Sequence, residues 1–378
     1  MRKGWEYKKL GEICSSDLGK TLNKSKDVGN MHPYLCAINI LWDFIDLTTL
    51  KETCFKDDEI DRYTVKYGDL LVCEGGDTGR AAIWDREEPI LYQNALHRLR
   101  FKEDIDARFI MYNLWHKKQI GEIDNKYSKG VTILHLVKSA LLSIPILLPP
   151  LSTQLSIVSE LDKINELIRL KKEQLKDFDN LAQSLFYEMF GDPVENEKGW
   201  EVKKISNIAK YHNGVAHEQD IDKDGDFVLI NAKFISSEGQ IKKYTSIQRF
   251  PLFKNDIVMV LSDLPNGKSL AKCFLIDEDN KYTLNQRICC FRGFDGSSIY
   301  LKNIINRNPY LLSFDNGKGQ TNLRKGDVEK IPIPLPPLPL QHLFAQRIEQ
   351  IEHQKAEVQK SITDLETLLA SRMQYWFE

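Results

Sequence analysis

One device occurs twice in this chain and limits what it can fold into. Ile144-Pro145-Ile146-Leu147-Leu148-Pro149-Pro150-Leu151 is a proline-locked extended segment, and a helical pattern follows it at once. Apolar residues then fall at Ile157, Leu161, Ile164, Ile168, Leu175, Phe178, Ala182, Leu185 and Met189. The steps alternate four and three, broken only at Lys171, which is a heptad seam. Pro149 and Pro150 suit the extended entry and cannot sit inside the helix. Ser152, Thr153 and Gln154 lie where a helix start is expected. Ile331-Pro332-Ile333-Pro334-Leu335-Pro336-Pro337-Leu338 repeats the hinge, and Gln341 repeats the glutamine. Phe344, Ile348, Ile351, Val358, Ile362, Leu365 and Leu369 repeat the seam, with Lys355 as its break. Gly4-Trp5-Glu6-Tyr7-Lys8-Lys9-Leu10 returns as Gly199-Trp200-Glu201-Val202-Lys203-Lys204-Ile205.

The chain is therefore a tandem repeat. Each half reads as a globular domain, a proline hinge and a helix on the order of 60 Å long at ~1.5 Å per residue. The expected boundaries are 1–148 and 192–335 for the globular domains, and 149–191 and 336–378 for the helices. Short apolar runs divided by Gly and Asp turns, such as Leu70-Leu71-Val72-Cys73 and Ala81-Ala82-Ile83-Trp84, make both domains strand-rich. Phe109–Trp115 reads as a short helix. The aromatic end Tyr375-Trp376-Phe377 is expected to pack.

The 378 residues suffice for two or three full cores. No apolar run is long enough to span a membrane, and Met1-Arg2-Lys3-Gly4-Trp5 lacks an apolar export signal, so the expected location is the cytoplasm. Seven cysteines without a C-x-x-C pair fit reduced thiols rather than a zinc site. A net charge of −2 neither marks a nucleic-acid binder nor excludes one, because basic residues can gather on one face.

Catalytic patterns are missing. Gly19-Lys20-Thr21 resembles the end of a phosphate loop, but the required glycine five residues earlier is Cys14. No G-x-G-x-x-G joins a strand to a helix. Glu6-Tyr7-Lys8 and Glu201-Val202-Lys203 resemble metal-nuclease strands but lack companion carboxylates. No H-x-x-x-H pair or nucleophile elbow occurs. The expectation is a non-enzyme with no cofactor of its own.

Another kind of signal remains. Gly75, Gly76, Thr78, Gly79 and Arg80 lie on a glycine-rich loop beside a strand, and Gln93, Asn94, His97 and Arg98 follow on the next strand. Asn, Gln and Arg are the side chains that read base edges bidentately. Lys20 and Thr21 join this set, as does Lys129, from the stretch Asn125–Ser159 that contains no acidic residue. The second domain offers Asn266, Lys268, Asn285, Gln286 and Arg287, with Lys318, Gln320 and Thr321 on a basic loop. The anchors Gly68-Asp69 and Asn255-Asp256 align, as do Gln93–Leu96 and Asn285–Ile288, whereas the loops between them differ. One scaffold with two loop sets implies one task performed on two targets.

The duplicated starts, the duplicated hinges, the heptad helices and the junction Met189-Phe190-Gly191-Asp192-Pro193 resemble specificity subunits of type I restriction–modification systems over essentially the whole chain. The resemblance implies an α+β fold, with two mixed, strand-rich target-recognition domains separated by two long helices packed as an antiparallel coiled coil. With the helix centres aligned, Lys171 would face Val358 and Lys355 would face Leu175. It implies that each domain reads half of a split double-stranded DNA site. The helices would set the spacing and dock two methyltransferase subunits, and two restriction subunits would complete the complex. Methyl donor, ATP and magnesium would belong to those partners. A stand-alone coiled-coil scaffold with protein-binding ends is the competing reading.

Overall fold

The structure, a computed structural model, describes residues 4–23, 28–130, 134–264 and 267–378. It divides into two compact units, Met1–Lys172 with Gln359–Glu378, and Glu173–Val358. The helices used below are α1 (Ala107–Gln119), α2 (Leu151–Phe190), α3 (Ser298–Ile305) and α4 (Leu338–Phe377).

Both units are built from the same parts. In the first, Glu6–Lys9 pairs antiparallel with Pro145–Leu148, Glu6 opposite Leu148 and Lys9 opposite Pro145. In the second, Glu201–Lys204 pairs with Pro332–Leu335, Glu201 opposite Leu335. The two motifs that repeat in the sequence are thus strand partners of each other. Each ladder has only two strands, so its prolines can turn their missing N–H to a free edge.

A four-stranded antiparallel sheet follows in each unit. Its order is Cys14–Leu18, Leu96–Phe101, Leu70–Cys73, Ala81–Ile83 in the first, and Lys210–Asn213, Ile288–Arg292, Ile257–Val260, Cys273–Leu275 in the second. Leu70–Cys73 and Ile257–Val260 are buried throughout, which is why they read as continuous apolar runs. A further sheet holds one parallel pair, Asn30–Leu35 with Ile90–Tyr92 or Phe227–Ile230 with Tyr282–Leu284.

The turn into the central strand is the same twice. Gly68 and Asn255 both have positive φ, +84° and +70°, and Gly and Asn are the residues that most readily adopt this conformation. The aspartate after each grips an arginine: Asp69 accepts from Arg100 Nε and Nη2 at 2.6 and 2.8 Å, and Asp256 from Arg292 at 2.9 and 2.6 Å.

The repeated glutamines fasten hinge to helix. Gln154 Oε1 accepts from Asp106 N (2.9 Å) at the start of α1, and its Nε2 donates to Pro149 O (2.9 Å). Gln341 does the same with Ser297 N (3.1 Å) at the start of α3 and with Pro336 O (2.8 Å).

Within each unit the long helices run in opposite directions. In the first, Arg372 and Trp376 of α4 donate to Glu160 near the start of α2, while Lys172 meets Glu366 at 2.8 Å. In the second, Lys355 reaches Asp179 at 2.8 Å, and Phe344 packs on Phe190 with centroids 5.2 Å apart. Asp179 lies one turn along α2 from Leu175, so the Lys355 ammonium leaves the apolar seam for a carboxylate. The seam residues Ile157, Leu161, Ile164 and Ile168 are buried, as are Phe344, Ile348, Ile351, Val358 and Ile362. Phe377 packs edge-on against Phe109 of α1.

Candidate nucleic-acid interface

In each unit, loops from several distant segments meet in one rim stitched by backbone hydrogen bonds. In the first, Lys20 N donates to Tyr92 O (3.0 Å) and Asn94 N to Lys20 O (3.0 Å). Glu74 N donates to Ala95 O (2.9 Å), Leu136 N to Glu74 O (2.7 Å), and His135 N to Lys129 O (2.8 Å). In the second, Val215 N donates to Leu284 O (3.0 Å), Leu261 N to Arg287 O (2.9 Å) and Leu323 N to Leu261 O (2.8 Å). Ser262 pairs with Asn322 beside them. The glycine of Gly19-Lys20-Thr21 is explained here: a Cβ on it would lie 2.5 Å from Tyr92 O, and a Cβ on Gly214 would strike the Asn285 carbonyl. The residue serves a close approach of two segments of the chain.

The rim brings part of the expected set to the surface. Thr21, Gly76, Asn94 and Lys129 are exposed, and Gly75 and Gln93 are half-buried. In the second unit Gln286, Arg287, Lys268, Lys318 and Gln320 are exposed and Asn285 is half-buried. Gln286 bonds Glu218, and Gln320 Nε2 donates to Ser262 Oγ at 2.7 Å. Among the described residues no carboxylate pairs with Arg287. Asn266 lies outside the described residues.

Other expected contacts turn inward. Lys20 is only 5 % exposed, its Nζ on Glu59 (2.7 Å) and Cys54 O (2.9 Å) and over the Phe55 ring. Thr78 Oγ1 donates to Asp124 (2.9 Å), Gly79 abuts Ile123, and Arg80 Nη2 donates to Ala37 O (2.8 Å). His97 Nε2 lies 2.8 Å from Leu136 O, and Arg98 binds Asp17 (2.9 Å) and Thr64 O (2.6 Å). Thr321 Oγ1 donates to Asp315. These side chains shape the rim rather than face outward. His97 and Arg98 sit on a central strand with both faces covered, so neither side of the alternation meets solvent. The glycine loop is braced: Lys118 holds Asp77 (3.0 Å) and Asp124 (2.7 Å). The counterpart of Arg80 is Lys272, because each carbonyl accepts from the end of the neighbouring central strand, Cys73 N (2.8 Å) and Val260 N (3.0 Å).

Burial lowers the pKa of His97 and raises that of Glu74. His135, exposed and bridged to Gly75 and Lys129, belongs to the rim. The acid-free stretch around it was its signal. Asn322 and Arg324 are also exposed beside the second rim. In the E-x-K strands Lys8 pairs with Glu6 at 2.6 Å and Lys203 with Glu201 at 3.3 Å. Among the described residues no three His, Cys, Asp or Glu side chains are placed to hold a metal ion, and no helix is long and apolar enough to cross a membrane.

A duplicated scaffold carrying two rims of different composition defines a two-headed recognition protein. The family described as type I restriction modification DNA specificity domain matches residues 2–177 and 197–367. The chain belongs to that family. It is similar to the putative type I restriction enzyme MjaX specificity subunit of Methanocaldococcus jannaschii, 23% identical over 384 aligned positions covering 92% of this chain and 87% of the relative. The MjaVIII specificity subunit of the same organism is 23% identical over 97% of this chain and 92% of its own length. The MjaIX specificity subunit, 25% identical, is matched over 56% of this chain and about half, 53%, of its own length. The fold is shared with the solved S subunit of a type I restriction–modification system from M. genitalium, at a TM-score of 0.54, 14% identity and coverage of 99% and 96%. A chain from a structure of type I restriction–modification complex assembly gives a TM-score of 0.60, 16% identity and coverage of 100% and 98%. The scaffold reading is not favoured by these relatives.

Proposed function

We propose that this chain is the sequence-reading subunit of a type I restriction–modification complex, with each rim contacting one half of a split double-stranded DNA site. The observation that carries this reading is the recurrence of one backbone rim with different side chains: Thr21, Gln93, Asn94, Lys129 and His135 in one unit, Asn285, Gln286, Arg287, Lys318 and Gln320 in the other. Backbone identity gives a common way to approach a groove, and side-chain difference gives two targets. Family membership supports the same reading.

The two helices form an antiparallel coiled coil that sets the distance between the half-sites. The chain has no catalytic role. Two methyltransferase subunits dock on it in the cytoplasm, two restriction subunits complete the complex, and all cofactors belong to those partners. Exchanging residues 1–143 for the same region of a relative, then sequencing methylated sites from the reconstituted methyltransferase, tests this. One half of the site should change while the other half and the spacer persist. A simultaneous change in both halves would falsify the modular reading.

A further inference from the structure

The two scaffolds match, yet one place that is filled in the first unit is open in the second. In the first unit Trp42 stacks on Trp115 with centroids 5.3 Å apart, and Trp115 on Tyr112 at 6.0 Å. Arg108 Nη2 bridges Asp43 (2.8 Å) and Asp162 (2.7 Å), and Asn165 donates to Asp43 (2.8 Å). These groups pack α1 and the Asp43 turn onto α2.

Counterparts follow from fixed points of the repeat. The helix caps are Asp106 and Ser297, and both accept from the residue three positions on. The turn residues Asp43 and Glu238 share positive φ, 57° and 53°. Gln154 and Gln341 fix the long helices. Counting from these, Trp42, Tyr112 and Trp115 become Ser237, Asn303 and Asn306, and Arg108 becomes Ile299. The carboxylates stay: Asp43 becomes Glu238 and Asp162 becomes Glu349, while Asn165 becomes a further one, Glu352. The rings and the guanidinium are gone, and a crevice of about 750 Å³ lies in their place.

The walls of that crevice have changed in a compensating way. Phe274 stands where the first unit has Ala82, and Tyr187, 45 % exposed, stands where it has Gln374. Lys272 answers Glu238 at 3.3 Å and Lys355 answers Glu352 at 3.2 Å; Lys302 and Arg307 also line the crevice, but no cation pairs with Glu349 among the described residues. Among the described residues no three carboxylates converge as a metal ion would require. A planar cation suits the combination better, because a guanidinium both stacks on aromatic faces and pairs with a carboxylate.

We infer that this crevice receives an arginine side chain, carried beside an aromatic residue on a segment of another protein. The first unit fills the equivalent space with its own arginine and rings, so the segment is engaged once per chain. This inference does not depend on which DNA is read.

The test uses the full chain and the dipeptide Nα-acetyl-Arg-Trp amide, with the neutral citrulline analogue as control, followed by ligand-detected NMR and calorimetric titration. The arginine peptide should bind saturably, and the citrulline peptide about tenfold more weakly, the scale of one lost charge-assisted hydrogen bond. Glu349→Gln, at an exposed position, should remove the difference between the peptides. Ser237→Trp combined with Asn303→Tyr should abolish binding by refilling the crevice. No saturable binding, equal binding of the two peptides, or unchanged binding to the refilled variant each overturns the inference.

Discussion

Replacing Gly19 by alanine isolates the close approach that makes the first rim. Gly19 is not at positive φ, so the penalty is steric rather than conformational. The new Cβ would stand 2.5 Å from Tyr92 O, where ordinary contact begins near 3.4 Å. The obstacle is the backbone of Tyr92 and Gln93 and cannot rotate away. The chain beside it is tied by Lys20 N to Tyr92 O and by Asn94 N to Lys20 O, both 3.0 Å. Overpacking of this kind costs about 1–3 kcal/mol. For a unit of this size, 2 kcal/mol corresponds to a Tm lower by about 4–8 °C. If the opening stays local, amide exchange at Lys20 and Asn94 should instead quicken about tenfold per 1.4 kcal/mol. Gly319→Ala is the control, since nothing lies within 4 Å of its Cβ, and it should stay within about 0.5 kcal/mol of the parent. Differential scanning calorimetry with amide-resolved hydrogen exchange reads both effects. A Gly19→Ala chain indistinguishable from Gly319→Ala would refute the close-approach argument.

Phe344, fully buried against Phe186 and Phe190, should cost about 3–5 kcal/mol when replaced by alanine, whereas Leu343→Ala, 41 % exposed, should stay within about 0.5 kcal/mol in urea titration. Asn94→Ala should leave thermal stability unchanged while lowering methylation of one half-site. Arg98→Ala, which removes the buried guanidinium's bonds to Asp17 and to the Thr64 and Arg62 carbonyls, should destabilise the fold by about 1–3 kcal/mol; equal losses of stability for the two variants would contradict the division between rim surface and rim support. The Arg372 guanidinium, and next the Trp376 indole N–H, hold the Glu160 carboxyl below its ordinary value of 4.5. A depressed carboxylate stabilises the fold above its unfolded pKa, so this contribution should be whole above about pH 4.5 and fade as pH falls through the lower folded pKa. Melting curves from pH 7 to pH 3 should lose that component in Glu160→Gln.

The long helices, their seams, the hinges and the duplication were legible in the sequence because each rests on local chemistry. Proline forbids a helical N–H, heptad spacing aligns one face, and Gly68 and Asn255 announce left-handed turns. The same holds for the strand-rich character of both domains. Tertiary structure alone decided that the Gly-Trp-Glu start and the proline hinge are strand partners, since pairing of residues as far apart as Glu6 and Leu148 leaves no local trace. It also decided which candidate contacts face out. Lys20, His97 and Arg98 have the chemistry of DNA contacts, but neighbouring segments cover them, and Lys20 Nζ, His97 Nε2 and the Arg98 guanidinium find partners within the protein. Asn94 and Arg287 project because they sit at tight turns between strands, where no second layer packs. The side-chain chemistry of each position belongs to the sequence; whether that chemistry meets solvent or another part of the chain is set by packing between residues far apart along it.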